Sequence, residues 1–173
     1  MPYAIELYLN TESSKTIDEI RNKLILEGIN IDQGTKPHIS LGIYNEVKIE
    51  DFITELQIFS RKIKSLNVNL SSIGMFVTQE PVIYLAPTVT KELLDIHAKF
   101  HSYFEKYKNQ AWDYYLPNNW VPHCTLAMNL DNDMVNRVIE ICSKISLPLK
   151  AKLDRIGLIE FKPNKQLIEY KLE

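Results

Sequence analysis

Cysteine is scarce in this chain of 173 residues: Cys124 and Cys142 are the two present. They form no CxxC pair or other metal-type spacing. Each stands on the apolar side of its element and reads as a buried thiol. No apolar run approaches the ~18 residues a membrane helix needs. The opening Met1-Pro2-Tyr3 lacks the charged region and apolar core of a signal peptide, so a reducing cytoplasm is the expected location. A basic excess is also missing, with 20 basic against 22 acidic residues and a net charge of −2. That balance argues against a grip on long duplex nucleic acid, which usually needs a basic surface. A nucleotide or an RNA end remains open, because local lysines can serve a small anion. The phosphate-cradling pattern GxxxxGK[ST] is absent, as are low-complexity tracts, long linkers and charge blocks. With 45% hydrophobic and 24% charged residues, the chain reads as one ordinary soluble domain over residues 1–173, expected to be a monomer.

Against these absences stands a repeated pentapeptide. Pro37-His38-Ile39-Ser40-Leu41 returns as Pro122-His123-Cys124-Thr125-Leu126, 85 positions later (123 minus 38). In an extended strand alternate side chains share a face and lie ~6.6 Å apart. His38 therefore points with Ser40, and His123 with Thr125, while Ile39, Leu41, Cys124 and Leu126 point into a core. Proline ahead of each strand costs no ladder hydrogen bond.

The surrounding pattern is duplicated too. Ala4–Leu9 alternates as a strand. Thr11, Ser13 and Ser14 announce a helix with Ile17, Ile20 and Leu24 on its buried face, stopping at Gly28. The loop Asn30–Lys36 leads to the first motif strand, which runs to about Tyr44. A second helix spans Ile49–Ile63, with Phe52, Leu56, Phe59 and Ile63 at helical spacing. Strands Leu66–Val77 and Val82–Ala86 follow. Thr90 caps a helix over Lys91–Tyr107, and the loop Asn109–Val121 delivers the second motif. Asp131 or Asn132 caps the fourth helix, buried through Val135, Val138, Cys142 and Ile145, before strands Leu149–Phe161 and Gln166–Leu172. After the helix following each motif comes LxxIG, in Leu70–Gly74 and again in Leu153–Gly157, 83 apart (153 minus 70). Two such halves are expected to pack about a pseudo-twofold axis with the motifs facing each other.

Two imidazoles across a cleft suit phosphodiester chemistry. With an ordinary pKa near ~6.5, one ring can accept the proton of an attacking water or hydroxyl while the other protonates the departing oxygen. Each act is worth on the order of 100-fold to 10,000-fold. Ser40 and Thr125 are placed to hydrogen-bond the non-bridging phosphate oxygens. Near symmetry leaves the acid and base roles interchangeable.

On these residues the chain resembles the two-histidine (2H) phosphoesterases, which include bacterial RNA 2′-5′ ligase-like proteins and 2′,3′-cyclic phosphodiesterases. Their pattern, His-x-Thr/Ser-x-apolar in each half, is matched by both copies, and the likeness spans nearly the whole chain. It implies a bilobal α+β fold, with largely antiparallel sheets lining a central cleft and helices outside. It carries His38, Ser40, His123 and Thr125 over as catalytic. It implies metal-independent cleavage of 2′,3′-cyclic phosphate or 2′-5′ phosphodiester bonds in nucleotides or RNA ends, without cofactors, and is compatible with reversible, ATP-independent 2′-5′ ligation. The rival is a binding module that holds an RNA end or nucleotide phosphate and turns nothing over.

Further candidates surround the motifs. Tyr114, Tyr115 and Trp120 precede the second motif and are candidates for stacking on a base; Lys36 beside the first is a candidate for drawing in an anion. Tyr44 and Phe76 are weaker cleft aromatics. His97 and His101 have the i, i+4 spacing of a shared metal, but without HExxH or a third ligand they read as structural. A metallohydrolase using His38 and His123 has no carboxylate or thiolate at ligand spacing beside either motif.

Overall fold

The computed structural model describes residues 2–31, 34–160 and 164–173. Met1, the middle of the Asn30–Lys36 loop and the predicted strand end at Phe161 lie outside the described residues. Among the described residues the chain runs through seven strands and four α-helices. They are β1 (Tyr3–Leu9), α1 (Thr11–Leu26), β2 (His38–Tyr44), α2 (Ile49–Ser60), β3 (Leu66–Phe76), β4 (Val82–Pro87), α3 (Lys91–Tyr103), β5 (Cys124–Ala127), α4 (Asn132–Cys142), β6 (Leu149–Glu160) and β7 (Lys165–Lys171).

Helix ends follow capping chemistry. Asn10 caps α1, its side-chain oxygen accepting from the Ser13 amide at 3.0 Å, one residue ahead of the predicted hydroxyl cluster. Thr90 caps α3 and Asp131 caps α4. Gly28 takes φ +72° just past α1, a conformation that glycine adopts without a Cβ penalty. Helix α3 stops at Tyr103, short of the predicted Tyr107, and the chain tightens into a 3₁₀ turn over Glu105–Gln110. That turn lets Phe104 and Tyr107 both pack on Phe52, at ring-centroid separations of 4.9 and 4.8 Å.

All strand pairs are antiparallel, in the order β2-β1-β6-β3-β4-β5, with β7 also on β6. The strands form one open antiparallel sheet, because the 12-residue β6 spans both wings. Its first part, Leu149–Leu153, pairs β3; its second, Leu153–Glu160, pairs β1. The two LxxIG strands are exchanged between wings. Gly74 of β3 lies opposite Tyr84 of β4, and Gly157 of β6 opposite Glu6 of β1. Each motif strand is thereby outermost, beside β1 in one wing and β4 in the other. Ile39, Leu41, Cys124 and Leu126 are fully buried, as the period-two reading requires, in a core shared with Leu24, Phe52, Phe59 and Phe100. Both cysteines are free and buried. Among the described residues no helix is long and apolar enough to cross a membrane.

Candidate active site

A cleft of about 420 Å³ opens between the wings, and His38, Ser40, His123 and Thr125 all line it. Residues 85 apart in sequence (123 minus 38) meet there because each motif strand presents its histidine and hydroxyl on the face away from the core.

The two imidazoles are held in the same way. Nδ1 of His38 lies 2.7 Å from the Lys36 carbonyl, and Nδ1 of His123 lies 2.7 Å from the Val121 carbonyl. A carbonyl only accepts, so each Nδ1 carries the hydrogen and each Nε2 is the chemically available nitrogen. Aromatic rings flank both: Tyr8 meets His38 edge-on at 6.3 Å, while Phe76 and Tyr84 meet His123 at 4.9 and 5.3 Å. Burial lowers the pKa of His123, as does the charge of His38, against the pull of the Val121 carbonyl. His123 is therefore biased towards the neutral form, with a lone pair on Nε2.

Here the likeness of the halves breaks. Glu6 of β1 is buried in the cleft with 2% of its surface exposed, and its Oε1 lies 3.3 Å from Nε2 of His38. In the strand register Glu6 stands opposite Ser40 and Tyr8 opposite His38, and directly opposed residues share a face. The alternation of β1 reads as a solvated polar face; tertiary pairing makes it the cleft floor. In the second wing Tyr84 stands opposite Thr125 as Glu6 stands opposite Ser40, so that wing has a phenol where the first has a carboxylate. The hydroxyl of Tyr8 is pushed well above its ordinary pKa by burial and by the charge of Glu6. Tyr115 is pushed up to about 12 by the same two causes.

Arg21 is the second residue the sequence reading passes over. Buried on α1, it donates to the Thr125 carbonyl through Nε and NH2, at 3.3 and 2.8 Å, and to the Thr35 carbonyl through NH1 at 3.0 Å. One guanidinium thus ties the second motif to the approach of the first. Spaced on the apolar face of α1 with Ile17, Ile20 and Leu24, all buried, a charged residue is the clue.

Among the aromatic candidates, Tyr114 and Tyr115 line the cleft, as do Trp112 and Phe76. Tyr114 is 81% exposed at its rim. Trp120 is not a cleft residue. Its ring stacks on His97 at 3.9 Å, and its Nε1 donates to the Ser40 carbonyl at 2.9 Å, so it backs the motif strand instead of facing a ligand. Lys36 is likewise outside the cleft, paired with Glu169 beside the Tyr8 ring. Tyr44 is buried against Phe52 and Phe100. His97 and His101 meet backbone carbonyls, Tyr115 at 2.8 Å and Leu41 at 3.1 Å. Among the described residues no three His, Cys, Asp or Glu side chains are grouped to hold a metal.

Comparison with known proteins places this geometry. The family model described as the 2′-5′ RNA ligase superfamily matches residues 11–165. A Bacillus licheniformis protein named as a candidate phosphoesterase is 25% identical over 126 residues, covering 71% of this chain and 70% of its own. The crystal structure of TT0787 from Thermus thermophilus superposes with a TM-score of 0.70 at 16% identity, covering 99% of this chain and 98% of that one. E. coli LigT in apo form gives 0.67 at 15% identity, covering 99% and 96%. LigT complexed with 3′-AMP gives 0.64 at 14% identity, covering 98% and 96%. At such identities the structural likeness is one of fold.

Proposed function

The chain belongs to the 2′-5′ RNA ligase superfamily, and from that membership and the cleft we propose that it cleaves 2′,3′-cyclic phosphate or 2′-5′ phosphodiester bonds in nucleotides or RNA ends. The observation that carries this reading is the paired arrangement of His38 with Ser40 and His123 with Thr125 around one cavity, each imidazole locked through Nδ1 to a backbone carbonyl. One Nε2 takes the proton of the attacking water. The other gives a proton to the departing ribose oxygen as the phosphorus–oxygen bond breaks. The two hydroxyls donate to the non-bridging oxygens, where negative charge builds in the transition state. Fixed tautomers and a cleft partly walled by Ile43, Phe76, Val82 and Ile159 hold the reacting groups in place without reorganisation at the moment of reaction.

The cavity volume lies within the range of small-molecule sites. That LigT, which shares the fold, has been solved with 3′-AMP supports a nucleotide as the ligand of this cleft, where Tyr115 and the exposed Tyr114 are placed to meet a base. Run in reverse, the same proton transfers join a cyclic phosphate to a hydroxyl.

The test is a panel of 2′,3′-cyclic nucleotides and 2′-5′-linked dinucleotides, assayed with EDTA present. Turnover by the wild-type protein, lost in His38→Ala and in His123→Ala while circular dichroism is unchanged, is the expected result. Saturable binding without product points to a binding module, and full activity in either variant overturns the mechanism. Activity that EDTA removes turns the reading to a metal-dependent hydrolase.

A further inference from the structure

We propose that Trp120 is a positioning residue of the first motif: its indole N–H, bonded to the Ser40 carbonyl, fixes the direction in which the Ser40 hydroxyl enters the cleft. Arg21 serves Thr125 of the second motif in the same way. This rests on the phosphodiesterase reading above, in which both hydroxyls meet phosphate oxygens.

The strand register shows why such a bond is needed. Ile5 of β1 stands opposite Gly42 and Glu6 opposite Ser40, so Leu41 is passed over. Ile83 of β4 stands opposite Ala127 and Tyr84 opposite Thr125, so Leu126 is passed over. Each motif strand thus bulges at its leucine, directly after the hydroxyl residue. A bulge disrupts the ladder where it occurs and re-aims the side chains beside it. Pairing with the inner strand therefore does not by itself hold the peptide plane that follows Ser40 or Thr125. Both motif strands are also outermost in the sheet, which leaves their other edge open to side-chain donors.

Side chains take that part in both wings. Trp120 Nε1 donates to the Ser40 carbonyl at 2.9 Å, and His101 Nε2 lies 3.1 Å from the Leu41 carbonyl. Arg21 donates to the Thr125 carbonyl through Nε and NH2. The donors are unrelated, an indole on the loop before β5 and a guanidinium on α1, yet each reaches the carbonyl of the hydroxyl residue. A bond there fixes the peptide plane beside Cα and with it the direction of Cβ and the hydroxyl.

The indole is itself held. His97 stacks on it at 3.9 Å with 6° between the planes, and His97 Nε2 meets the Tyr115 carbonyl at 2.8 Å. The Trp112 amide donates to the Ile43 carbonyl and the Asn45 amide to the Gln110 carbonyl, each at 2.8 Å, which lays the loop along the edge of β2. Trp120 also immediately precedes Val121, whose carbonyl holds Nδ1 of His123. One residue therefore sets Ser40 of one motif against His123 of the other.

A double-mutant cycle on kcat between Trp120 and Ser40, with a cyclic nucleotide that the wild type hydrolyses, tests this. Trp120→Phe keeps a ring against His97 and removes the N–H. Where that variant does not fold, β-(3-benzothienyl)alanine at position 120 keeps the shape of the indole and puts sulfur in place of the N–H. In the wild-type background either change is expected to lower kcat by on the order of 10-fold to 100-fold, with KM little changed. In the Ser40→Ala background the same change is expected to cost less than about twofold, because the group it aims is gone. An equal loss in both backgrounds makes Trp120 a matter of general packing and overturns the proposal. A rise in KM at constant kcat, or unchanged kinetics, overturns it too.

A second readout needs no turnover. The Nε1–H resonance of Trp120 is expected to shift when inorganic phosphate fills the cleft, with occupancy followed through the imidazole resonances of His38 and His123. At equal occupancy that shift is expected to be lost in Ser40→Ala. A resonance that stays still, or moves as far without the hydroxyl, overturns the proposal. If the wild type turns over nothing on the panel, the phosphodiesterase reading falls, and this resonance still judges the coupling of Trp120 to Ser40.

Discussion

The ring of Tyr8 lies flat across Gly157, so closely that a Cβ at that position meets the ring at 2.5 Å. Tyr84 lies across Gly74 in the other wing, where the same atom meets its ring at 2.4 Å. The glycine of each LxxIG strand thus makes room for the tyrosine that borders a motif histidine. Because the LxxIG strands are exchanged between wings, the first half supplies the glycine for the second half's tyrosine, and the reverse.

Neither of these glycines has a positive φ, so alanine strains contacts and not the backbone. Gly74→Ala and Gly157→Ala are each expected to cost roughly 1–3 kcal/mol of stability, as overpacking does, measured by urea denaturation. The larger loss is expected for Gly157→Ala, because the Ile168 carbonyl at 2.8 Å belongs to a paired strand and cannot swing aside as a ring can.

Removing a hydroxyl that stabilises the transition state lowers kcat more than it weakens binding. Ser40→Ala and Thr125→Val are each expected to reduce kcat by on the order of 100-fold with KM little changed. Steady-state kinetics on the best cyclic nucleotide of the panel check this; a rise in KM at constant kcat assigns the hydroxyls to ground-state binding instead.

Arg21→Met keeps the aliphatic stem but leaves the Thr35 and Thr125 carbonyls without their donor. A loss of about 1–3 kcal/mol is expected from those unsatisfied groups. Denaturant midpoints measure it, and kinetics are expected to show a lower kcat as Thr125 shifts.

Stability is expected to fall on acidification through the buried pair on α3. Burial and the neighbouring His101 lower the pKa of His97 to about 4, and burial lowers that of His101. An unfolded histidine titrates near ~6.5, so between that pH and about 4 the unfolded state binds more protons than the folded one. The stabilisation is complete above the unfolded value and is lost as pH falls towards the folded one. For His97 the loss is on the order of 3 kcal/mol. Thermal melts across this range are expected to flatten in His97→Gln/His101→Gln, although that variant starts from lower stability because the stacking on Trp120 is altered.

Much of this architecture is written in local pattern. The period-two spacing of His38 with Ser40 and of His123 with Thr125 fixes which side chains turn from the core, and Ile39, Leu41, Cys124 and Leu126 bury accordingly. Thr90 and Asp131 mark helix starts by their own side chains. Trp120 and Lys36 lie close to the motifs in sequence yet not in the cleft, because proximity along the chain does not say which way a loop side chain turns. Ser40 offers Trp120 a carbonyl from behind the strand, and Glu169 of a distant strand draws Lys36 away.

The amino-acid order alone determined the duplicated grammar, the amphipathic faces and the pairing of each imidazole with a hydroxyl, since these depend on the backbone period of a few successive residues. Strand exchange through β6, the setting of Glu6 against His38 and the clasp of Arg21 on both motif segments were decided by tertiary structure. Those contacts join residues tens to more than a hundred positions apart, and which strand edge meets which is settled by packing the whole core.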